Sequence, residues 1–248
     1  RWLSDWSSDV CSSDLSSEQG FLFGIDQASG FETLMDLSSY NTLTFYKDGF
    51  FSPELITTNA SYYTNENVKR GYHLQLGEAV DDYAVASALL TQIKMTYPEA
   101  YLVLDQGWRI FYGAYLNENE ALVALGQVSA KINPINVAVA KPEMGRIIVM
   151  HKAQILFAYN SKDQEYAFKS SIFELNGIKY RNMCIVKRVI GSDFTVINRV
   201  TMSEYLYGVV PKEMSGEWPI EALKAQAIAA KNYVLSAPRK FNYGFDVR

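Results

Sequence analysis

Residues 200–233 read VTMSEYLYGVVPKEMSGEWPIEALKAQAIAAKNY, a stretch that predicts two helices joined by a bend. Thr201 and Glu204 have the T-x-x-E spacing of a capping box, in which each side chain bonds the backbone N–H of the other residue. The first helix is predicted over residues 202–210, because Pro211 disfavours helical geometry in the residue before it.

The second helix is predicted to begin at Pro219, since the first position of a helix does not need the N–H that proline lacks. Gly216 supplies a flexible bend before it, and Pro238 marks its end. Apolar residues recur along it at three- and four-residue steps, which predicts one apolar face made of Ile220, Leu223, Ala227, Ala230 and Val234.

Glu213 is the candidate catalytic residue of this stretch. It lies in the predicted bend and is flanked by Val210, Met214 and Trp218. An acid near apolar side chains resists ionisation, so we expect the pKa of Glu213 to be raised. A raised pKa suits a general acid that works near neutral pH. The competing interpretation is that a glutamate between two helices is simply solvated.

The order of residues in this stretch resembles the core motif of the SpoIID/LytB family, which contains stage II sporulation protein D and its amidase-enhancer relatives. The family pattern YLxGVVPxEM, then W, then EALKAQAxAARxY, corresponds here to residues 205–214, Trp218 and residues 221–233. The family's catalytic glutamate falls on Glu213. At positions 231–232 Lys-Asn replaces the commoner Arg-Thr, a change expected to alter helix packing more than chemistry.

This resemblance implies cell-wall chemistry. The family's activity is that of a lytic transglycosylase, which cleaves peptidoglycan glycan strands lacking stem peptides and leaves 1,6-anhydro ends. A single carboxyl, here Glu213, would act first as acid and then as base, unlike the pair of carboxylates in glycoside hydrolases. The alternative from the same resemblance is a non-catalytic protein that binds these strands and enhances a cell-wall amidase. A third hypothesis is a β-rich structural protein of the cell surface.

The middle of the chain, residues 71–130, predicts the order β-α-β-β-α. Alternation over residues 72–76 indicates a half-buried first strand, and Asp81 or Asp82 can cap the first helix. Asp105-Gln106-Gly107 is a predicted turn between the two central strands. With YHLQLG at residues 72–77, GWR at residues 107–109 and Gly113 before the last helix, this module resembles the SPOR domain, a small module that binds peptide-free glycan strands. Gln75 and Trp108 fall on positions that resemble the glycan-contacting ones of that domain. The competing interpretation is that Trp108 belongs to the core and that His73 is a solvated strand residue.

Residues 5–15, DWSSDVCSSDL, resemble a translated sequencing adapter, so we interpret residues 1–19 as an artefact of assembly. That segment contains one basic and four acidic side chains, so the net charge of −4 becomes −1 without it. No basic patch of the size that nucleic acids require is present. Without Cys11 the single thiol is Cys184, expected in the core, and the sequence shows neither a metal cluster nor a cofactor motif.

The predicted fold class is α+β, in four parts. They are the artefact at residues 1–19, a β-hairpin region at 20–67, the SPOR-like module at 68–133 and an incomplete SpoIID/LytB-like domain at 134–248. The hairpin region has a predicted turn at residues 47–49 and is followed by a predicted linker at 65–70. The last domain has a predicted turn at Asn176-Gly177 and predicted strands at 146–150, 154–159, 166–173, 183–189 and 194–200. We expect an extracytoplasmic protein of the cell wall or membrane surface whose targeting segment is missing here. Because the SpoIID-like domain is expected to continue past residue 248, the chain is expected to be a fragment that can lack activity by itself.

Overall fold

The computed structural model describes residues 2–3, 12–48, 71–132, 134–162, 164–188 and 194–236. Both helices and strands occur in that part of the chain, which confirms the α+β fold class. The strands are β1 Trp2–Leu3, β2 Ser12–Ser16, β3 Phe21–Gln27, β4 Gly30–Leu37, β5 Thr42–Lys47, β6 Tyr72–Leu76, β7 Tyr101–Leu104, β8 Trp108–Tyr115, β9 Val137–Ala140, β10 Arg146–His151, β11 Gln154–Asn160, β12 Tyr166–Leu175, β13 Ile178–Arg188 and β14 Phe194–Arg199. The helices are α1 Tyr83–Lys94, α2 Glu118–Ile132, α3 Met202–Glu213 and α4 Ile220–Ser236.

These strands form one continuous sheet. The order along it is β1-β14-β13-β12-β2-β5-β10-β11-β7-β8-β6-β9. The sheet branches at β12, which pairs with β3 through residues 166–169 and with β2 through residues 174–175. A register shift between Ser170 and Ile172 separates the two pairings. One ten-residue strand therefore serves two neighbours on the same side.

The first described strands join this sheet. Strands β3 and β4 form a hairpin within residues 20–67, and β5 pairs with β2 and β10. Strand β2 belongs to the segment interpreted as an artefact, and its Leu15 is fully buried in the core. The origin of that segment stays a prediction, but residues 12–16 are part of this fold. The predicted turn at residue 49 and the linker at residues 65–70 lie outside the described residues.

The middle module has the predicted order β-α-β-β-α, formed by β6, α1, β7, β8 and α2. Asp82 caps α1 by accepting hydrogen bonds from the backbone N–H groups of Ala84 and Val85. The turn before β8 contains Gly107 at φ +102°, as expected for glycine there. Strand β9 adds to the predicted order and pairs with β6 at the end of the sheet. The relation of this module to SPOR domains stays a prediction.

The two faces of the sheet bury different clusters in this module. Leu74, Leu102 and Ile110 point to the face covered by α1 and α2 and belong to the main core. Tyr101 and Phe111 point to the opposite face and pack with Ile148, Met150 and Ala158. Both faces are therefore buried at this point, whereas period-two alternation in β6 predicted a half-buried strand.

The C-terminal strands agree with the sequence prediction. Strands β10 to β14 cover the predicted strand segments, with β13 longer than predicted. The turn between β12 and β13 contains Asn176 and Gly177 at positive φ, as its sequence predicted. Cys184 is fully buried, as expected for a small core residue.

The predicted end of α3 before Pro211 is wrong, because the helix continues to Glu213 with the proline inside its last turn. A proline there removes one N–H donor, but the turn is held by the Met214 N–H, which donates to the Val210 carbonyl at 3.0 Å. Glu213 is therefore the last helical residue rather than part of a free bend.

Helix α4 begins one residue after Pro219, whose carbonyl accepts hydrogen bonds from the N–H groups of Ala222 and Leu223. Its predicted apolar face is only partly covered, since Ala230 is buried while Ile220 is 63% exposed. Pro238, the predicted end of this helix, lies outside the described residues. None of the helices in the described ranges has the length and apolar character needed to cross a membrane.

Candidate functional site

A groove of about 800 Å³ lies between the helix pair α3–α4 and the ends of β13 and β14. We call it the α3–α4 groove. Its helical wall is formed by one side of each helix, and its other wall by the first residues of β13 and the last residues of β14. The side chains that matter below are Lys179, Arg181, Tyr205, Lys212, Glu213 and Tyr233.

Local hydrogen bonds fix the start of α3. The predicted capping box is confirmed: the Glu204 N–H donates to Thr201 Oγ1 at 3.3 Å, and the Thr201 N–H donates to Glu204 Oε2 at 2.8 Å. The Asn182 side chain on β13 also donates to Glu204 Oε2 at 3.2 Å. Partial burial acts to raise the pKa of Glu204, but the hydrogen bonds from Thr201 and Asn182 outweigh it and hold the pKa below its usual range. The carboxylate of Glu204 therefore serves to anchor the helix to the sheet.

Glu213 lies in the groove wall at the opposite end of α3. The residue is exposed, and its side chain accepts no hydrogen bond from any residue in the described ranges. Trp218, one of the apolar neighbours expected to enclose it, is itself 55% exposed. The described residues therefore do not build the apolar cleft that the sequence argument required around this carboxyl group. The catalytic role of Glu213 stays a prediction.

Tyr205 is the most buried side chain of the groove that carries a polar group, with 6% exposure. Burial raises the pKa of its hydroxyl, and the neighbouring Tyr233 and Glu213 raise it further. The hydroxyl thus stays neutral near the carboxyl of Glu213. The phenols of Tyr205 and Tyr233 and the carboxyl of Glu213, which are groups that a sugar can contact, thus line the same groove.

Three basic side chains also line the groove. Lys179 and Arg181 stand two residues apart on β13, so they point to the same face of the strand. Lys212 lies on the opposite wall, next to Glu213 in the sequence. All three are exposed, and within the described part of the chain none forms an ion pair.

The structure does not bring Gln75 and Trp108 together. Gln75 pairs with Phe111 and shares its sheet face, whereas Trp108 pairs with Leu104 on the face covered by the helices. Trp108 is 3% exposed, and its ring lies 5.1 Å from that of Tyr83. This burial agrees with the interpretation of Trp108 as a core residue. Gln75 accepts a hydrogen bond from Arg109 at 2.9 Å, and its glycan-binding role stays a prediction.

Sequence reasoning missed a buried polar cluster on the Gln75 face of the sheet. His73 Nε2 lies 2.6 Å from Asp48 Oδ1, and its Nδ1 lies 2.6 Å from the Gly113 carbonyl oxygen. Arg146 donates to Asp48 Oδ2 at 2.7 Å and to Asp105 Oδ2 at 3.1 Å. His73 is fully buried, so its interpretation as a solvated strand residue is wrong. The four residues are far apart in the sequence, and no local pattern connects them.

Among the residues that the structure describes, no group of three or more histidine, cysteine, aspartate or glutamate side chains is arranged to hold a metal ion.

Comparison with known proteins connects the groove to one family. The family model described as Stage II sporulation protein, SpoIID, matches residues 191–248. The described part of this match contains β14, α3 and α4, and so contributes most of the helical wall of the groove. The C-terminal part of the chain is thus similar to a family of sporulation proteins.

A second similarity covers more of the chain. An uncharacterized protein of Brachyspira hyodysenteriae (strain ATCC 49526 / WA1) is 30% identical over 154 residues, which is 62% of this chain. The same stretch amounts to 38% of the relative, so the chain spans well under half of that protein's length. No solved structure matches the chain.

Proposed function

We propose that this protein processes the peptidoglycan of the bacterial cell wall, as a lytic transglycosylase that acts on glycan strands lacking stem peptides. One observation carries the proposal: Glu213 lies in the wall of an open groove, within the segment similar to the SpoIID family. The groove is large enough for sugar rings and offers Tyr205 and Tyr233 as further contacts. The corresponding location is extracytoplasmic, at the cell wall.

The chemistry needs one carboxyl group. Protonated Glu213 donates its proton to the glycosidic oxygen, so the bond between that oxygen and the anomeric carbon breaks. The resulting carboxylate then accepts the proton of the C6 hydroxyl of the same sugar, whose oxygen bonds to the anomeric carbon. The products are a 1,6-anhydro end and a new hydroxyl end, and Glu213 is protonated again. No water is consumed, which distinguishes the products from those of a hydrolase.

Because Glu213 is exposed, the proposed mechanism requires the bound substrate to remove water from around its carboxyl group. A general acid works best when its pKa lies near the working pH, and removal of water is one way to achieve this. The carboxyl group of Glu213 lies on an exposed residue, where water surrounds it. A glycan strand that lies along the groove would replace that water with sugar surface. In this proposal substrate binding itself completes the environment of the acid.

The test is Glu213→Gln in the protein expressed from its complete gene, with peptide-free glycan as substrate. Because a positioned acid/base contributes roughly 10²–10⁴-fold, the yield of 1,6-anhydro products should fall by at least about a hundredfold. Products are identified by mass spectrometry, and glycan binding is measured in parallel. Glu217→Gln is the matched control, since it removes another exposed carboxylate four positions away and should cut normally.

An unchanged product yield in Glu213→Gln would refute the catalytic assignment. The second candidate function is then the non-catalytic one, a glycan-binding protein that enhances a cell-wall amidase. The exposure of Glu213 favours this candidate, because an exposed carboxylate can bind a ligand but lacks the apolar surroundings expected of a general acid. That candidate predicts binding without any 1,6-anhydro product, together with faster release of peptides by an added amidase.

The middle module has a supporting role in the proposal. If it binds the same strands as SPOR domains do, two attachments to one strand raise the effective concentration of the substrate at the groove. Gln75, which is half-buried at the sheet face opposite the helices, is the better candidate for a sugar contact. Trp108 is enclosed between that sheet and α1 and would contribute stability instead.

A further inference from the structure

The charges of the α3–α4 groove differ from those of the whole chain. The chain has a net charge of −4, yet the groove contains three basic residues and two acidic ones. One of those acids, Glu204, is already bound by Thr201 and Asn182. The basic groups Lys179, Arg181 and Lys212 are exposed and make no ion pair with a described residue. The neutral donors to Glu204 leave its negative charge in place, and Arg181 helps to lower the pKa of that carboxyl, so the five charged side chains of the groove carry a formal charge of +1.

The positive charges lie on both walls. Lys179 and Arg181 on β13 are separated by about 7 Å along the strand, given the rise of 3.3–3.4 Å per residue. Lys212 stands on α3 beside the candidate acid. A ligand in contact with Glu213 would thus meet cations on either side. Arg181 is suited to a carboxylate, because the planar guanidinium group can donate two parallel hydrogen bonds to it.

Peptide-free glycan offers such carboxylates. In peptidoglycan each stem peptide is attached through an amide bond to the lactyl group of alternate sugars. Removal of the peptide turns that neutral amide into a free lactyl carboxylate, which is anionic at neutral pH. A strand without peptides is therefore a polyanion with one carboxylate on every second sugar, whereas these carboxyl groups are blocked in a strand that keeps its peptides.

We infer that Lys179, Arg181 and Lys212 recognise the free lactyl carboxylates of the glycan strand. This inference rests on the proposed function and specifies how the groove selects its substrate. Selection is electrostatic, because the basic side chains bind the carboxylates that peptide removal creates. This attraction adds to the steric effect of the missing peptide. It also places the protein after the class of reaction that hydrolyses the amide between sugar and peptide.

The experiment compares two glycans that differ in charge alone. Peptide-free strands are used as isolated, or after carbodiimide coupling to methylamine, which converts every lactyl carboxylate to a small neutral amide. Exposed ion pairs are individually weak, so three of them should give the chain roughly tenfold tighter binding to the charged strands. The preference should diminish as salt is raised, because exposed charges are screened.

Two double variants assign the effect to the groove. Lys179→Gln with Arg181→Gln should lose most of the preference for the charged strands, and the remainder is the share of Lys212. Lys131→Gln with Lys152→Gln removes the same charge from exposed positions outside the groove and should keep the full preference. Thermal unfolding of each variant shows that the fold is retained.

The possible failures are distinguishable. Equal binding of both glycans by the wild-type protein overturns the inference but leaves the proposed function intact, provided that Glu213→Gln still abolishes 1,6-anhydro products. A preference that is as large in Lys179→Gln with Arg181→Gln as in the wild type also overturns it. Absence of binding to either glycan overturns the proposed function together with the inference.

Discussion

Asp48 and Glu213 are two carboxylates at the ends of secondary-structure elements, and their surroundings are opposite. Asp48 follows β5, is fully buried, and lies within 2.7 Å of both His73 and Arg146. Glu213 ends α3 and is exposed to the α3–α4 groove. The first carboxylate uses its hydrogen-bonding capacity inside the fold. The second is exposed and accepts no hydrogen bond from a described residue.

The buried cluster is a continuous network of polar contacts. His73 lies beside the Asp48 carboxylate and the Gly113 carbonyl, and the Tyr101 hydroxyl oxygen is 3.3 Å from its Nδ1. Arg146 forms ion pairs with both Asp48 and Asp105. The cluster connects β5, β6 and β10, so it joins the N-terminal region, the middle module and the C-terminal strands. Among the described residues, no such network of buried ion pairs crosses the α3–α4 groove.

The largest expected effect is a loss of stability when the buried carboxylate, Asp48, is replaced. Asp48→Asn keeps the shape of the side chain but removes the negative charge between His73 and Arg146. Removal of one partner from a buried ion pair leaves the other charge uncompensated, which costs about 3–5 kcal/mol. Urea unfolding of the variant and the wild type measures this difference in the free energy of unfolding.

Glu213→Gln is the matched control for this measurement, since it makes the same chemical change at the exposed carboxylate. It should leave the free energy of unfolding unchanged while it affects catalysis. If Asp48→Asn is as stable as the wild type, the buried cluster does not hold the three regions together. If Glu213→Gln destabilises the fold strongly, the contrast between a structural and a functional carboxylate is wrong.

A second, smaller effect is the pH dependence of the stability that the Asp48 carboxylate contributes. Burial acts to raise the pKa of Asp48, but the charges and hydrogen bonds of His73 and Arg146 lower it below the ordinary value. A carboxyl whose folded-state pKa is lowered contributes stability above its unfolded pKa of about 3.9, and this contribution is lost as pH falls through the folded-state pKa. The stability difference between the wild type and Asp48→Asn should therefore be largest above about pH 4 and should shrink below it. A difference that persists undiminished at about pH 2 would mean that the Asp48 charge is not its source.

The same comparison explains what could be predicted from the sequence. Features with local causes were predicted correctly: the Thr201–Glu204 capping box, the Asn176-Gly177 turn and the aspartate cap of α1. In each of them the partners are two or three residues apart, so the spacing alone is informative. The resemblance of residues 205–233 to a known motif also located the groove residue Glu213.

The buried cluster has no such signal. Asp48 and Arg146 are separated by 98 positions, and His73 lies 25 positions from Asp48. Contacts of this kind depend on which strands become neighbours in the sheet, which single-residue patterns do not show. For the same reason the sequence did not reveal that Gln75 and Trp108 point to opposite faces, or that Glu213 lacks an apolar enclosure. The end of α3 was missed because the Met214 N–H holds the last turn after Pro211.

The smallest effect is expected at the cap of α3, where the groove depends on local interactions. Thr201→Ala removes the hydroxyl that accepts from the Glu204 N–H, and loss of such a cap costs about 1 kcal/mol. Ser203→Ala is the matched control, because that exposed residue stands inside the first turn and should be close to neutral. Hydrogen exchange should show faster opening of α3 in Thr201→Ala, with no change in β6 and β8. Equal effects of the two substitutions would contradict the capping role. Faster exchange in β6 as well would show that the groove and the buried cluster unfold as one unit, and the comparison between an open and a closed region would no longer hold.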